Sequence, residues 1–187
     1  MEYLAAVLLA SALASTPALA DGQTCLAEFE SKVERDYPGV GSIVPQQVED
    51  LLADDASILL LDVRDKSEYD VGHIPGAVRV APDVDVTQFL AEFGNRLKDR
   101  TVLVYCSVGV RSSRLGQRLA DPAREMGARG VYNLKGGIFA WHNYGIALAA
   151  AAGRTELVHP YSRSWSRYLD FPNYSSYVPK PAPRSPR

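Results

Sequence analysis

The chain has 187 residues, of which 47% are hydrophobic and 22% charged, with a formal net charge of −2. That length and balance suit one globular domain with its own core and short extensions. The weak net charge argues against nucleic acid or an anionic membrane as the partner, and a total of two cysteines, Cys25 and Cys106, excludes a disulfide scaffold.

The first twenty residues, MEYLAAVLLASALASTPALA, are small and apolar and end in Ala18-Leu19-Ala20 before the polar Asp21-Gly22-Gln23. This pattern predicts a secretory signal peptide over residues 1–20, cleaved after Ala20. It implies a secreted protein, periplasmic in a cell with two membranes, with no stable membrane insertion after cleavage. The short n-region carries Glu2 and no Lys or Arg. A membrane anchor is the competing reading, but Ser11, Ser15, Thr16 and Pro17 interrupt the run and leave it short for a bilayer span. Residues 21–42 read as an N-terminal arm that carries Cys25.

From residue 43 to residue 148, helix-like and strand-like stretches alternate, as in parallel strands joined by crossover helices. Val48, Leu51 and Leu52 recur at helical spacing after Pro45. The run Ser57-Ile58-Leu59-Leu60-Leu61 has the length of a strand buried on both faces, with Asp62 at its carboxyl end. A short helix over Ser67 to Asp70 leads into turns at Gly72-His73-Ile74-Pro75-Gly76 and a brief apolar segment, Ala77 to Val80. Val86 to Leu97 carries Phe89, Leu90, Phe93 and Leu97 on one helical face, and Thr101 to Tyr105 reads as a second central strand. Ser112 to Ala120 is helical; Asp121-Pro122 predicts its break, with Pro122 opening a second short helix. Val131 to Leu134 is a late strand, and Gly136-Gly137 precede a helix with Phe139, Trp141 and Tyr144. Residues 149–178 form an extension in which Tyr161, Trp165 and Tyr168 fall at helical spacing, a stripe expected to pack on the domain, with a ligand or partner role as the alternative. The proline-rich, basic residues 179–187 are expected to be disordered.

Cys106 directly follows a central strand, where open α/β sheets place their ligands, and the next helix turns its amino terminus to the same spot. Backbone N–H groups there favour a thiolate, and Arg111 adds positive charge. Between them, Ser107-Val108-Gly109-Val110 is short enough, with Gly109 at its bend, for successive amides to converge as an anion-binding nest that continues into Ser112. The alternative is an inert, small, buried cysteine.

Four segments taken together resemble the rhodanese family of sulfurtransferases from about Pro45 to Gly145. They are Leu60-Leu61-Asp62-Val63-Arg64 with Glu68-Tyr69, Gly72-His73-Ile74-Pro75-Gly76-Ala77, Tyr105-Cys106-Ser107-Val108-Gly109-Val110-Arg111-Ser112, and Asn133-Leu134-Lys135-Gly136-Gly137-Ile138 with Trp141. The resemblance implies a three-layer α/β domain with a central, mostly parallel five-stranded sheet flanked by helices. It implies that Cys106 takes a sulfane sulfur as a persulfide, cradled by the loop Ser107, Val108, Gly109, Val110, Arg111 and Ser112. It places Asp62 and Arg64 near the base of that loop, helping to hold it through ion pairing with Arg111, and His73 with Gly72 and Gly76 in a structural turn.

Phosphatase relatives of this fold have five residues between cysteine and arginine, usually with a histidine before the cysteine. Here four intervene and Tyr105 comes first, which favours sulfur over phosphate. Thiosulfate-using relatives often carry a basic residue just after the cysteine, whereas Ser107 and Val108 are neutral. The expected partners are therefore a small sulfur donor, thiosulfate or a thiol persulfide, and a thiol or cyanide-like acceptor. No metal or organic cofactor is implied. The competing function is a secreted binding or thiol-redox module in which Cys106 works with Cys25.

Overall fold

The computed structural model describes residues 21–54 and 57–181. The leader expected over 1–20, the tail from 182 and the side chain of Cys25 lie outside the described residues. Five strands, β1 (Gly41–Ile43), β2 (Ile58–Asp62), β3 (Val78–Arg79), β4 (Thr101–Tyr105) and β5 (Gly130–Leu134), form one sheet in the order β1-β5-β4-β2-β3. Every pairing in it is parallel. All carboxyl ends therefore lie along one edge.

The unbroken apolar runs of β2 and β4 follow from burial on both faces. Leu60 pairs with Leu103 and Leu59 with Val102, so alternate residues feed two cores. On one face Leu59, Leu61, Val102 and Val104 meet α4 (Val86–Phe93) and α5 (Val110–Glu125) through Phe89, Phe93, Leu115, Leu119 and Ala123. On the other, Leu60, Leu103 and Tyr105 meet α1 (Asp21–Asp36), α2 (Pro45–Asp54) and α6 (Gly137–Asn143) through Leu26, Val48, Ile138, Phe139 and Trp141. A sixth, short helix, α3 (Lys66–Val71), follows β2.

Local expectations change at several points. Helix α5 runs through Pro122 without a break. Pro122 forfeits one helical hydrogen bond, but the stripe Leu115, Leu119 and Ala123 is wholly buried on the sheet, and extending it by the last member outweighs the loss. Helix α4 stops at Phe93, and its pattern continues to Leu97 in a 3-10 turn, Gly94–Arg96. Within the arm read over residues 21–42, residues 21–36 form the helix α1, held by the buried Leu26 and Val33.

The carboxyl-terminal extension wraps back over the domain. A hairpin of β6 (Leu148–Ala150) and β7 (Gly153–Thr155) bridges to His73 through Ala149. The aromatic residues beyond it do not form an α-helix; the chain there makes short 3-10 turns at Ser166–Tyr168 and Pro172–Tyr174. Asn143 holds the carboxyl end of the first turn, donating to the Tyr168 carbonyl at 2.9 Å and accepting from the Asp170 N–H at 2.9 Å.

Candidate active site

Cys106 leaves β4 at the carboxyl edge of the sheet and is 1% exposed. Its Sγ accepts a hydrogen bond from the Gly109 N–H at 3.2 Å. Gly109 has φ of 97°, and a Cβ there would stand 2.9 Å from Asn133 Nδ2, so only glycine makes this bend into α5. The carbonyls of Cys106 and Ser107 are occupied by the N–H groups of Ile138 and Phe139, at 2.9 and 3.1 Å. Because a trans peptide sets its N–H opposite its C=O, the amides of Ser107 and Val108 point away from α6. Gly137 permits this contact: its φ is 61°, and a Cβ would lie 2.5 Å from the Cys106 carbonyl oxygen.

The far end of the loop is fixed by a residue to which the sequence reading assigned no role. Arg111 donates to both carboxylate oxygens of Glu68, at 2.8 Å each, and to Ser107 Oγ at 3.0 Å. Ser107 Oγ in turn donates to Glu68 Oε1 at 3.0 Å. Burial works against a charged Glu68, but the hydrogen bonds and charge of Arg111 outweigh it and hold the carboxyl below the usual glutamate range. Burial likewise opposes the charge on Arg111, and Glu68 more than offsets it, aided by Cys106 and Asp65, so the guanidinium stays protonated. Glu68 also accepts from the Asp65 N–H at 3.0 Å. The pattern Asp65-x-x-Glu68 is a helix-start signature, and that was the signal available in the sequence.

Asp62 and Arg64 do not ion-pair with Arg111; they pair with each other. Arg64 Nη2 and Nε donate to Asp62 at 2.6 and 2.9 Å, and Nη2 also reaches the Gly72 carbonyl at 2.7 Å. Both side chains are fully buried, and two full charges so placed need each other more than either needs a distant partner. Burial opposes the charge of Arg64, and Asp62 more than restores it. The pair ties the end of β2 to the turn at Gly72. His73 serves that turn: its ring stacks on Tyr69 with centroids 3.7 Å apart, and Nδ1 lies 3.0 Å from the Tyr69 carbonyl. Ser112 donates to Asn133 Oδ1 at 2.6 Å, anchoring the first turn of α5 to β5.

A pocket of about 250 Å³ opens over the loop. Its floor is the loop from Cys106 to Arg111, and its walls are Phe29 and Lys32 of α1 with Tyr161 and Trp165 of the extension. Phe29 packs on Trp165 with ring centroids 5.2 Å apart, Trp165 on Tyr161 at 5.2 Å, and the Tyr161 ring lies 5.2 Å from the Arg111 guanidinium carbon. Among the described residues no cluster of three or more His, Cys, Asp or Glu could hold a metal ion.

Residues 44–144 match the family model described as the rhodanese-like domain. The chain belongs to the rhodanese-like family. A sulfurtransferase of Allochromatium vinosum is 32% identical over 114 residues, a match covering 61% of this chain and 99% of that protein. The probable adenylyltransferase/sulfurtransferase MoeZ of Mycobacterium tuberculosis is 35% identical over 101 residues, covering 54% of this chain and 24% of MoeZ. The chain thus spans about a quarter of the length of such longer curated relatives. The solved thiosulfate sulfurtransferase of Pseudomonas aeruginosa superposes with a TM-score of 0.54 at 24% identity, over 76% of this chain and 26% of that one, which establishes likeness of fold. The five-stranded α/β architecture and membership of a sulfurtransferase family follow. The match leaves out α1 and the aromatic extension, so two walls of the pocket come from outside the family domain.

Proposed function

We propose that this rhodanese-like protein moves a sulfane sulfur from a donor, thiosulfate or a thiol persulfide, to a thiophilic acceptor through a persulfide on Cys106. The observation that carries the reading is the Gly109 N–H at 3.2 Å from Cys106 Sγ, inside a four-residue loop closed by Arg111 on Glu68. In the first step the Cys106 thiolate attacks the outer sulfur of the donor. An Sγ–S bond forms, the donor's sulfur–sulfur bond breaks, and its electron pair leaves with the donor residue. In the second step the acceptor attacks the outer sulfur of the persulfide and Cys106 returns as thiolate. The loop amides oppose the negative charge on sulfur in both states. Arg111, engaged by Glu68, acts as a positioning residue that holds the loop shut. Asp62 and Arg64 support the reading one layer deeper, as the brace beneath the strand ends.

The test is to incubate purified protein with thiosulfate or a thiol persulfide and then with cyanide, following thiocyanate and the intact mass. Gain of one sulfur on Cys106, discharged by cyanide, is expected; no thiocyanate and no mass gain with any donor would sink the proposal. A Cys25–Cys106 disulfide in peptide maps of unreduced material, without mass gain, would transfer the reading to thiol redox chemistry. We further propose that the protein acts after export. The leader-like residues 1–20 support this, and a mature amino terminus at Asp21 in a periplasmic fraction is the expected result.

A further inference from the structure

Sulfur donors differ mainly in what they carry behind the transferable sulfur: thiosulfate carries a charged sulfonate, an organic persulfide or thiosulfonate a carbon body. The pocket over Cys106 has to accommodate that part, and its walls discriminate between the two. Phe29, Tyr161 and Trp165 present three rings, and Val108 and Val110 add apolar floor. The pocket's two cationic side chains are both engaged. Arg111 is paired on both carboxylate oxygens of Glu68, and Lys32 is paired with Asp36 one helical turn along α1. A dianion entering here would lose water against three rings, with Arg111 already neutralised by Glu68 and only the solvent-screened Lys32 at the rim, whereas an apolar body would lose only its hydrophobic hydration. An apolar cavity of about 150 Å³ admits benzene, so about 250 Å³ holds an aromatic ring with its sulfur-bearing group.

These walls are also braced rather than incidental. Phe29 lies edge-on to Tyr168 at 5.2 Å as well as against Trp165, and Asn143 pins the turn that carries Tyr168. The buried Leu26 and Val33 seat α1, the helix that presents Phe29 beside the loop, and Lys135 adds an exposed bond to its Glu34 at 2.9 Å. Neither wall segment falls within residues 44–144, so the shape of this pocket is a property of this chain's own flanks.

We infer that the flanking segments make the site selective for organic sulfane-sulfur donors with an aromatic or branched apolar body, over inorganic thiosulfate. The inference rests on the sulfur-transfer reading above. The ring lies against Phe29, Tyr161 and Trp165 while the outer sulfur faces Cys106. For a thiosulfonate, the Cys106 thiolate takes the sulfane sulfur, the bond from that sulfur to the sulfonyl sulfur breaks, and the electron pair departs on a sulfinate anion. For a persulfide, the same attack releases the organic thiolate. No oxidant or reductant is consumed in either case.

Benzenethiosulfonate and methanethiosulfonate test this directly, because they share charge and reacting atoms and differ in the ring alone. Thiocyanate formation from each, with cyanide as acceptor, is measured for the full chain and referred to the uncatalysed rate with free cysteine. The wild-type protein should favour the phenyl donor in kcat/KM by about tenfold or more, and thiosulfate should rank below it. Trp165→Ala and Tyr161→Asn should each cut the phenyl-to-methyl ratio several-fold; Asn suits position 161 because its φ is 62°. A Cys106→Ser protein, which cannot turn over, should bind benzenesulfinate more tightly than methanesulfinate by a similar factor, read by tryptophan fluorescence. A wild-type ratio near one, or a ratio unchanged in both variants, would overturn the selectivity while leaving sulfur transfer standing. Absence of thiocyanate and of any sulfur gain on Cys106 with every donor would overturn both.

Discussion

Replacing Glu68 with Gln removes the charge that closes the loop while keeping the shape of the side chain. The carboxylate is almost wholly buried, 3% exposed, and receives two bonds of 2.8 Å from Arg111, itself 26% exposed. Removing one partner of a fully buried pair costs about 3–5 kcal/mol, because the surviving charge is left uncompensated. Arg111 retains some solvent and has Asp65 at 3.7 Å as a second, weaker partner, so the expected cost is discounted to about 2 kcal/mol. For a domain of this size that corresponds to a fall in Tm of roughly 4–8 °C. The effect carries a pH signature. Glu68 is held below its ordinary 4.5 in the folded protein, so the pair's contribution is fully present above that value and is lost as pH falls toward the folded pKa. The gap between wild type and Glu68→Gln, measured by urea unfolding from about pH 7 to about pH 4, should therefore be widest near neutrality and shrink at the acid end. Sulfur transfer should fall in parallel, since the amides no longer hold their geometry. A variant as stable as wild type at neutral pH, or a gap that widens as pH falls, would refute the reasoning.

Gly137→Ala should be worse than its φ of 61° alone demands, because its Cβ would strike the Cys106 carbonyl oxygen at 2.5 Å; Gly145→Ala, at φ of 71° with nothing within 4 Å, is the matched control. Urea titration should place Gly137→Ala about 2 kcal/mol below Gly145→Ala, and equal losses would contradict the packing argument. Arg64→Met strands the buried carboxylate of Asp62 and should cost about 3–5 kcal/mol, whereas adding Asp62→Asn should recover part of that loss; a double variant less stable than Arg64→Met would count against the pairing. Burial holds His142 below its ordinary 6.5, and burial does the same at His159. The unfolded chain thus takes up more protons as pH falls through that value, and stability should decline from about pH 7 to about pH 5.5. His142→Gln should flatten part of that slope, leaving the share due to His159.

The loop around Cys106 was legible because its features are local. A cysteine after a β-branched strand, a glycine at the bend and an arginine five positions on specify a nest whether or not the remainder of the chain is known, and the structure brings Cys106, Gly109 and Arg111 together accordingly. The partner of Arg111 was harder to see, because it lies 43 positions away and Glu68 has a sufficient local explanation as a helix-start residue. Asp62, which the family resemblance places at the base of the loop, looked the better partner, but a carboxylate two residues from Arg64 is satisfied without leaving its own strand end. The pocket walls were the least legible part. Phe29 and Trp165 stand 136 positions apart and meet because α1 is seated on the domain by the buried Leu26 and Val33 while Asn143 ties down the extension. The spacing of Tyr161, Trp165 and Tyr168 suggested a helix, yet these rings are ordered by packing on Phe29 and on one another, which needs no helical repeat. Nucleophile and selectivity therefore differ in their dependence on the chain. The thiol's environment is set by a few consecutive residues, while the pocket walls come from both ends of the fold, so under the donor selectivity proposed above, changes confined to the flanks should retune the donor without disturbing Cys106.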